Sequence, residues 1–345
     1  MFDGKTILIT GGTGSLGTAL TSRLLETEVN TIRIFSRNES SQIQHKQKFE
    51  NHERLRRVSD DDDRIRYFIG DVRDYSRLVR AMESVDIVFH TAALKHVPIV
   101  EYNPFEAVKT NVLGTQNVID ACIHENIEIA VGITTDKAVS PLNAYGATKL
   151  LLEKLFVTAN NYLDPKKHKT KFISLRYGNV FGSSNSVIPL LINQIKNKKK
   201  ITITDPNMTR FSITMNDALD FILQSAIEGK GSEIFIPQIR SYIVSDLRDV
   251  LLDLFGNVRE EIISLRPGEK MHETLINKDE MRYAWELNGK YILFSSNYDE
   301  NLITKSHSGI KKFNSVEHYS SDNCERISKS ELKQLIIDSG FIKDD

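Results

Sequence analysis

The chain has 345 residues with 45 basic and 46 acidic side chains, and 40% of its residues are hydrophobic. This balance of charge excludes a broad electrostatic attraction to nucleic acid or to an anionic membrane surface. Two isolated cysteines exclude a disulfide framework and a cysteine-rich zinc site, and no apolar run approaches the ~20 residues that a membrane span requires. The N-terminus shows no signal-peptide pattern. We therefore expect a cytoplasmic protein without nucleic-acid, membrane or metal partners.

The first predicted element is a buried strand, Lys5–Thr10, made of apolar and β-branched residues. The glycine-rich loop GGTGSLG follows it, and an amphipathic helix comes next. Gly11 permits a tight turn, Gly14 lets the backbone approach a pyrophosphate, and Gly17 lets the helix pack closely on the sheet. A glycine turn can be purely structural, but one between a strand and a helix indicates a dinucleotide site.

The second predicted strand, Ile32–Phe35, bears on which dinucleotide binds. It is followed by Ser36 and Arg37, and the nearest acid, Glu39, comes two residues later. An acidic residue at this strand end suits the ribose 2′-OH of NAD, whereas an arginine suits the 2′-phosphate of NADP. We predict NADP; the alternative is a surface arginine with no role in binding.

The next segments alternate between polar connectors and strands. Residues 41–63 are polar and end in four aspartates, which we interpret as a solvated connector rather than a metal site. Asp71 and Val72 end the third strand, where the adenine would lie. Ala92 and Ala93 end the fourth strand and are small enough for a cofactor ribose to lie against the backbone.

A single long helix is predicted over residues 103–126 and a fifth strand over 127–136. Alternating strands and helices indicate a doubly wound parallel sheet, whose ligands bind beyond the carboxyl ends of its strands. The fifth strand therefore delivers Thr135, Asp136 and Lys137 to the same edge as the glycine loop.

The stretch TTDKAVSPLNAYGATK carries the chemistry. Tyr145 and Lys149 are four residues apart, so they share one helix face. The lysine can lower the pKa of the tyrosine and hold the nicotinamide ribose, and the tyrosine then serves as a base for a hydroxyl group. The YxxxK pattern alone often arises by chance. The adjacent Asp136 and Lys137 indicate a second proton transfer; a salt-bridged loop is the alternative.

The motifs that carry a family resemblance run through nearly the whole chain: ITGGTGSLG, IRIFSRNE, GDVRD, AALKHVP, EYNPFEAVKTNVLGTQNV, TTDKAVSPLNAYGATK, RYGNVFGS, MTRF and RPGEKMHE. With them the chain resembles the extended short-chain dehydrogenase/reductases that act on nucleotide sugars. Within that group it resembles the inverting UDP-N-acetylglucosamine 4,6-dehydratases of surface polysaccharide and glycan synthesis. The Asp-Lys pair is the specific element, because retaining 4,6-dehydratases have Asp-Glu there and 4-epimerases have neither pair.

The resemblance implies an α/β fold, with a Rossmann-type doubly wound parallel sheet and a smaller C-terminal α/β substrate lobe. Residues 1–183 would form the NADP-binding domain, which a segment of about 211–240 rejoins. Residues 184–345 would form mainly the UDP-sugar-binding lobe and a C-terminal extension. The extension would cover the site or serve subunit contacts, and the chain would form a homo-oligomer, such as a hexamer.

The resemblance also implies a reaction. Tyr145, assisted by Lys149, would deprotonate the sugar 4-OH during oxidation at C4. Lys137, kept partly neutral by burial and nearby cations, would remove the C5 proton, and a protonated Asp136 would help the 6-OH leave as water. Reprotonation of C5 on the opposite face gives UDP-2-acetamido-2,6-dideoxy-β-L-arabino-hexos-4-ulose. A UDP-sugar 4-epimerase and a non-catalytic NADP-binding regulator are the alternatives.

Three sets of site residues follow from these motifs. The predicted catalytic residues are Asp136, Lys137, Tyr145 and Lys149. The predicted cofactor-binding residues are Gly11, Thr13, Gly14, Ser15, Leu16, Gly17, Ser36, Arg37, Asp71, Val72, Ala92, Ala93, Thr135, Tyr145 and Lys149. The predicted UDP-sugar-binding residues are Lys95, Asn179, Arg210, Arg266 and Glu269. Of these, the two arginines would grip the pyrophosphate unless they are ordinary surface ion pairs.

Overall fold

The computed structural model describes residues 1–52, 64–164, 166–182, 187–265, 268–295 and 298–341. The strands in these ranges are β1 (Thr6–Thr10), β2 (Thr31–Ser36), β3 (Ile65–Ile69), β4 (Ile87–His90), β5 (Ile129–Thr135), β6 (Lys171–Tyr177), β7 (Asn179–Val180), β8 (Ile201–Ile203), β9 (Thr209–Ile213), β10 (Ile234–Pro237), β11 (Ser241–Ile243), β12 (Glu260–Ile262), β13 (Thr274–Ile276), β14 (Ala284–Leu287), β15 (Lys290–Leu293), β16 (Lys311–Lys312) and β17 (Tyr319–Ser320).

The helices are α1 (Ser15–Leu25), α2 (Glu39–Phe49), α3 (Tyr75–Met82), α4 (Val97–Tyr102), α5 (Pro104–Ala107), α6 (Gly114–His124), α7 (Ala144–Ala159), α8 (Val187–Lys196), α9 (Met215–Glu228), α10 (Val244–Phe255), α11 (Glu300–Ser306) and α12 (Lys329–Asp338). Among the described residues, no helix combines the length and the apolar character needed to cross a bilayer.

Ten strands form the central sheet, in the order β16-β14-β15-β10-β6-β5-β4-β1-β2-β3. The seven strands from β10 to β3 are parallel, and β15, β14 and β16 continue the sheet in antiparallel pairing. The strand order reverses between β1 and β4, which is where a doubly wound sheet opens a crevice at its carboxyl edge. The predicted α/β doubly wound parallel sheet is therefore confirmed.

Burial on both faces of the sheet explains why its strands are almost continuously apolar. In β1, Ile7 and Ile9 pack in one core cluster and Leu8 packs in another. The first cluster contains residues of α1 and α9, and the second contains residues of α3, α6 and α7. Helices therefore cover both faces, and the carboxyl edge of the sheet is left for ligands.

The helix predicted over residues 103–126 is divided in the structure. Residues Val108–Leu113 form a π-helical turn between α5 and α6. Asn111 lies in this turn, fully buried, and its side chain accepts a hydrogen bond from the backbone N–H of Leu94 at 2.8 Å and donates one to the carbonyl of Leu94 at 2.9 Å. The turn thus ties the segment after β4 to the helical layer, and π-turns of this kind are frequent at functional sites.

The remaining elements form a second layered unit and close the main sheet. β11, β9 and β7 form a three-stranded sheet, and α8, α10 and α12 pack around a separate apolar core. α9 and β10 return to the central sheet. The C-terminal residues complete that sheet through β14–β16, and β17 pairs with β13. The predicted division into two domains stays a prediction.

Candidate active site

The glycine loop between β1 and α1 has the geometry that close approach of a phosphate requires. Gly11 has a φ of +66°, and a Cβ atom there would lie 2.8 Å from the backbone of Ala92. A Cβ at Gly17 would lie 2.5 Å from the Cα of Gly12, so helix and loop are in direct backbone contact. Gly14 precedes the first turn of α1, where free N–H groups can bind an anion. The loop therefore fits a dinucleotide pyrophosphate.

A cleft beside this loop collects most of the predicted cofactor residues. Its lining includes Gly11, Thr13, Ser36, Arg37, Asp71, Val72, Ala92 and Ala93. The other predicted cofactor residues are not part of this lining: Gly14, Ser15, Leu16 and Gly17 lie at the start of α1, and Thr135, Tyr145 and Lys149 lie at the end of β5 and the start of α7. Phe35, Asn38, Gly70 and Thr110 also line the cleft and were not predicted. Its shape and lining suit a nucleotide, and the individual roles stay predictions.

The cleft presents both a cation and a carboxylate to a bound ribose. The Arg37 guanidinium lies 3.5 Å from the Asp71 carboxylate, and 52% of the Arg37 side chain is exposed. Arg73 lies 3.9 Å from the same carboxylate. A guanidinium can bind a 2′-phosphate, and a carboxylate can accept hydrogen bonds from a 2′-OH. The surroundings therefore suit either dinucleotide.

Asp136 and Lys137 lie in a short turn directly after β5, at the carboxyl edge of the sheet. The Lys137 ammonium donates hydrogen bonds to Asp136 Oδ1 at 3.0 Å and to Asn179 Oδ1 at 3.2 Å. It also lies 3.8 Å from Glu273 Oε1. The loop is salt-bridged, as the alternative prediction held, but its groups converge on one point of the carboxyl edge.

The surroundings of Lys137 differ from the sequence prediction of a partly neutral amine beside other cations. Burial alone would lower the pKa of Lys137, but the carboxylates of Asp136 and Glu273 outweigh it and raise the pKa above the usual value. The lysine is therefore an ammonium in this structure. To act as a base, it must first give its proton to another group.

Tyr145 and Lys149 lie on the first turns of α7, which begins after the capping residue Asn143. Both side chains are buried. Lys149 donates a hydrogen bond to the carbonyl of Ile133 in β5 at 2.8 Å. Burial lowers the pKa of Lys149 to about 7. The predicted pair is thus on one face of one helix, with the lysine directed to the sheet.

The phenol of Tyr145 is controlled mainly by groups outside its own helix. Burial raises its pKa to about 12; the Lys137 charge lowers it, Asp136 raises it, and a hydrogen bond with Thr135 lowers it. The main cation acting on the phenol is therefore Lys137, whereas the sequence predicts Lys149. The difference arises because Lys149 is engaged by the β5 backbone.

Glu273 is a member of this cluster that the sequence prediction missed. It lies just before β13, and its side chain is 5% exposed. Burial raises the pKa of its carboxyl, Lys137 lowers it, and Asp136 raises it. The residue belongs to the quoted motif RPGEKMHE, and an acid directly before the apolar run TLI was the available signal.

The predicted substrate residues fall into three groups. Asn179 contacts Lys137, as described above. Arg210 is buried in β9 and lies 3.3 Å from the Glu269 carboxylate, so these two predicted ligands are held together. Lys95 is exposed on the segment between β4 and α4, and Arg266 lies outside the described residues. Within the described ranges, no three His, Cys, Asp or Glu side chains are grouped so as to hold a metal ion.

Comparisons with known proteins identify a matching family and similar relatives. A family model described as "Polysaccharide biosynthesis protein" matches residues 7–294. An inverting UDP-N-acetylglucosamine 4,6-dehydratase of Campylobacter jejuni (strain 81-176) is 42% identical over 344 residues, covering 97% of this chain and 98% of the relative. A Rickettsia felis protein named UDP-glucose 4-epimerase is 39% identical over 350 residues, covering 100% and 99%. The names of close relatives thus divide between two activities.

Solved structures support the same fold. The X-ray structure of Pen from Bacillus thuringiensis matches with a TM-score of 0.87 and 40% identity, covering 99% of each chain. A dTDP-glucose 4,6-dehydratase of Streptomyces venezuelae, solved with NAD bound, matches with a TM-score of 0.65 and 20% identity, covering 77% of this chain and 86% of that one. At that identity the second likeness concerns the fold alone.

Proposed function

Because the chain belongs to the polysaccharide biosynthesis protein family, we propose that it is a UDP-N-acetylglucosamine 4,6-dehydratase that inverts C5 of the sugar. The proposal includes NADP as the cofactor. It rests above all on one observation: Asp136 and Lys137 stand 3.0 Å apart at the carboxyl end of β5, next to Tyr145. A single alcohol oxidation needs one base, and this site has groups for a second proton transfer.

The glycine loop and the adjoining cleft would hold the cofactor, for the reasons of backbone approach and lining given above. A bound nicotinamide dinucleotide would take a hydride from C4 of the sugar and return one to C6. The proton transfers fall to the chain. Tyr145 removes the proton of the 4-OH, and the adjacent Lys137 charge favours the phenolate.

The elimination of water uses the groups at the end of β5. A ketone at C4 acidifies the C5 proton, and Lys137 removes it once its own proton has left. Asp136 is proposed to take the C5 proton from the Lys137 ammonium, 3.0 Å away, and to pass it to the departing 6-OH, which leaves as water. Asn179 holds the Lys137 amine through its side-chain oxygen at 3.2 Å, which fixes the direction from which C5 is approached. Arg210 and Glu269, already paired, are proposed to bind the UDP.

A UDP-sugar 4-epimerase is the second candidate, because a relative at 39% identity carries that name. An epimerase returns hydride to C4 and leaves C5 and C6 unchanged. The pair of Asp136 and Lys137 would then have no proton to transfer at C5. The buried position of Asp136, at 0% exposure, weighs against this, because burying an unused charge is costly.

An experiment on C5 and C6 of the sugar distinguishes the dehydratase from the 4-epimerase. We would incubate the purified protein with UDP-N-acetylglucosamine in D2O and record C5 and C6 by NMR. The proposal predicts deuterium at C5, a methyl group at C6 and a 4-ketone of inverted C5 configuration. Interconversion of C4 epimers with protium retained at C5 would support the epimerase.

A further inference from the structure

Three ionisable side chains form one cluster beside Tyr145, in which both carboxyl groups are buried and the Lys137 side chain is 24% exposed. The Lys137 ammonium lies between the carboxyl groups of Asp136 and Glu273, at 3.0 Å and 3.8 Å. The second oxygen of each carboxyl, Asp136 Oδ2 and Glu273 Oε2, is buried and has no hydrogen-bond partner among the residues that the structure describes. Buried oxygens of this kind are costly unless they receive a proton or a ligand during the reaction.

The carboxyl groups of Asp136 and Glu273 differ in the hydrogen bonds that they accept. Asp136 Oδ1 accepts hydrogen bonds from the Thr135 hydroxyl at 2.7 Å and from Lys137 at 3.0 Å. Hydrogen bonds to a carboxylate favour its ionised form. Glu273 Oε1 has the longer 3.8 Å contact with Lys137. A proton leaving the ammonium therefore finds the less stabilised acceptor in Glu273.

We propose that Glu273 is the proton acceptor of Lys137 and acts through it in the elimination step. One N–H bond of the ammonium breaks, one O–H bond of the Glu273 carboxyl forms, and both charges disappear together. The resulting amine then takes the C5 proton of the substrate and becomes an ammonium again. Glu273 is thus a positioning residue, since it reaches the substrate only through Lys137. The inference rests on the proposed dehydratase function.

The other ionisable groups that face this pair come from several elements, and the two further cations each have a partner of their own. Asp136 and Tyr145 face Lys137 from the end of β5 and from α7, and Tyr242 faces it from β11. Arg210 in β9 and Lys270 also act on Glu273. Arg210 pairs with Glu269, and Lys270 donates a hydrogen bond to the carbonyl of Val139. The proton exchange between Glu273 and Lys137 therefore takes place inside a fixed set of charges.

The backbone of Glu273 is anchored, so its side chain keeps its place relative to Lys137. The Glu273 N–H donates to the Ser321 hydroxyl at 2.9 Å, and the Ser321 N–H donates to the Glu273 carbonyl at 2.7 Å. Ser321 itself is fully buried. A Ser321→Ala variant removes the first of these hydrogen bonds but keeps the second, which joins backbone groups, and keeps the carboxyl of Glu273. It is therefore the matched control for Glu273→Gln.

The first measurement is the pH dependence of deuterium exchange at C5, as a ratio of variant to wild type between about pH 6 and pH 9. Taking the ratio cancels the pH dependence that Tyr145 contributes. Internal transfer to Glu273 does not depend on pH, whereas in Glu273→Gln the ammonium must lose its proton to solvent. The ratio should then rise about tenfold per pH unit. The same ratio of variant to wild-type exchange should be independent of pH in Ser321→Ala and in Glu273→Asp.

The second measurement needs neither substrate nor cofactor turnover. The rate at which a small acylating reagent labels Lys137, followed by mass spectrometry against pH, reports the pKa of its amine. Loss of an ionised neighbour should lower that pKa in Glu273→Gln and leave it unchanged in Ser321→Ala. An unchanged pKa in Glu273→Gln, or a ratio that does not vary with pH, would overturn the inference. Absence of C5 exchange in the wild-type protein would instead overturn the proposed function.

Discussion

At the scale of single residues, the properties of this site depend on which charged side chains lie next to Lys137. Lys137 touches the side chains of Asp136 and Asn179 and lies within an ion-pair distance of Glu273. Its charge also lowers the pKa of Tyr145. Lys137 and Tyr145 are therefore electrostatically coupled, because a change in the charge of Lys137 changes the pKa of the phenol.

Three substitutions should distinguish the proposed roles of Tyr145, Lys137 and Asp136. Tyr145→Phe removes the first base, so neither C5 exchange nor product should appear. Lys137→Ala should reduce C5 exchange by ~10² to 10⁴, the usual effect of losing a general base. Asp136→Asn should permit C5 exchange and slow the loss of water from C6. NMR in D2O measures all three. Normal turnover and exchange in Lys137→Ala would favour the 4-epimerase.

The choice of dinucleotide can be tested at Arg37. Arg37→Asp removes a guanidinium that could bind a 2′-phosphate and adds an acceptor for a 2′-OH. We expect NADP binding to weaken about 10- to 100-fold, the range for one charge-assisted contact, and NAD binding to improve relative to it. Titration calorimetry measures both. Arg80→Asp, with the same change of charge on the exposed face of α3, should alter neither.

The sequence predicts four catalytic residues; the structure places them around the end of β5 and the start of α7, and their catalytic roles stay predictions. Spacing along the chain is sufficient for this, since Tyr145 and Lys149 share a helix and Asp136 and Lys137 end a strand. The charge state of Lys137 could not be predicted in the same way. It depends on Glu273, which only the tertiary fold brings close.

At the scale of elements, the site is built where β4, β5 and the helical layer meet. The predicted strands are confirmed as parallel neighbours, and β4 also carries a buried histidine. The Thr115 hydroxyl donates to the Asn111 carbonyl at 2.7 Å, so it accepts from His90 Nε2 at 3.0 Å. Nδ1 of His90 then accepts from Thr10 at 2.8 Å. This arrangement requires a neutral imidazole.

The neutral His90 should make the protein sensitive to acid. Burial lowers its pKa to about 3, from about 6.5 in the unfolded chain. The stabilisation is complete above about pH 6.5 and is lost progressively as the pH falls toward 3. Each pH unit below 6.5 should reduce the free energy of unfolding by up to about 1.4 kcal/mol.

Urea unfolding between about pH 7 and pH 4 checks this dependence. A His90→Gln variant should show a smaller slope, although its stability at neutral pH will be lower. His45, whose pKa burial lowers to about 4, contributes to the remaining slope. An unchanged slope in His90→Gln would show that this histidine does not titrate between the two states.

The element that sequence patterns missed is the π-helical turn between α5 and α6. Hydrophobic periodicity predicts one helix there, because Val118, Ile119 and Cys122 are indeed buried on one face. The turn arises from the tertiary hydrogen bonds of Asn111 to Leu94. Such contacts join distant segments, so local periodicity carries no signal for them.

At the scale of the whole molecule, the C-terminal residues are integral to the fold. Arg176 in β6 is fully buried and donates to Glu153 in α7 and to Glu280 in the segment between β13 and β14. These two carboxylates raise the pKa of Arg176 against the effect of burial. The guanidinium of Arg176 thus joins α7, the central sheet and the segment between β13 and β14.

Removing that guanidinium should be costly. Arg176→Met leaves the fully buried Glu153 carboxylate and the 20% exposed Glu280 carboxylate without their cation, and breaking a buried pair typically costs ~3–5 kcal/mol. Urea unfolding at neutral pH measures the loss. Arg282→Met is the matched control, since its ion pair with Asp279 is exposed and should contribute no more than ~1 kcal/mol. Equal effects of the two substitutions would contradict this account.

Self-association can be tested on the exposed apolar surface of α4 and α5. Tyr102 and Phe105 are 88% and 63% exposed, and apolar side chains so exposed are typical of interaction sites when they lie together. We predict that the protein forms a homo-oligomer, such as a hexamer. The double substitution Tyr102→Glu and Phe105→Asp should dissociate it. Light scattering of the wild type at a single 39.3 kDa particle would contradict the prediction.

The buried contact between Arg176 and Glu280 also sets an order of events during synthesis. β6 has left the ribosome long before residue 280 is made, and until then the guanidinium lacks one of its two carboxylates. The neighbouring strand β10 (Ile234–Pro237) is made before residue 280, and the antiparallel strands β14, β15 and β16 are made after it. In the nascent chain the edge of β10 therefore stays unpaired until β15, its antiparallel neighbour, has been translated. Chains that stop before residue 280 should be substrates for chaperones and proteases, even though they contain every predicted catalytic residue.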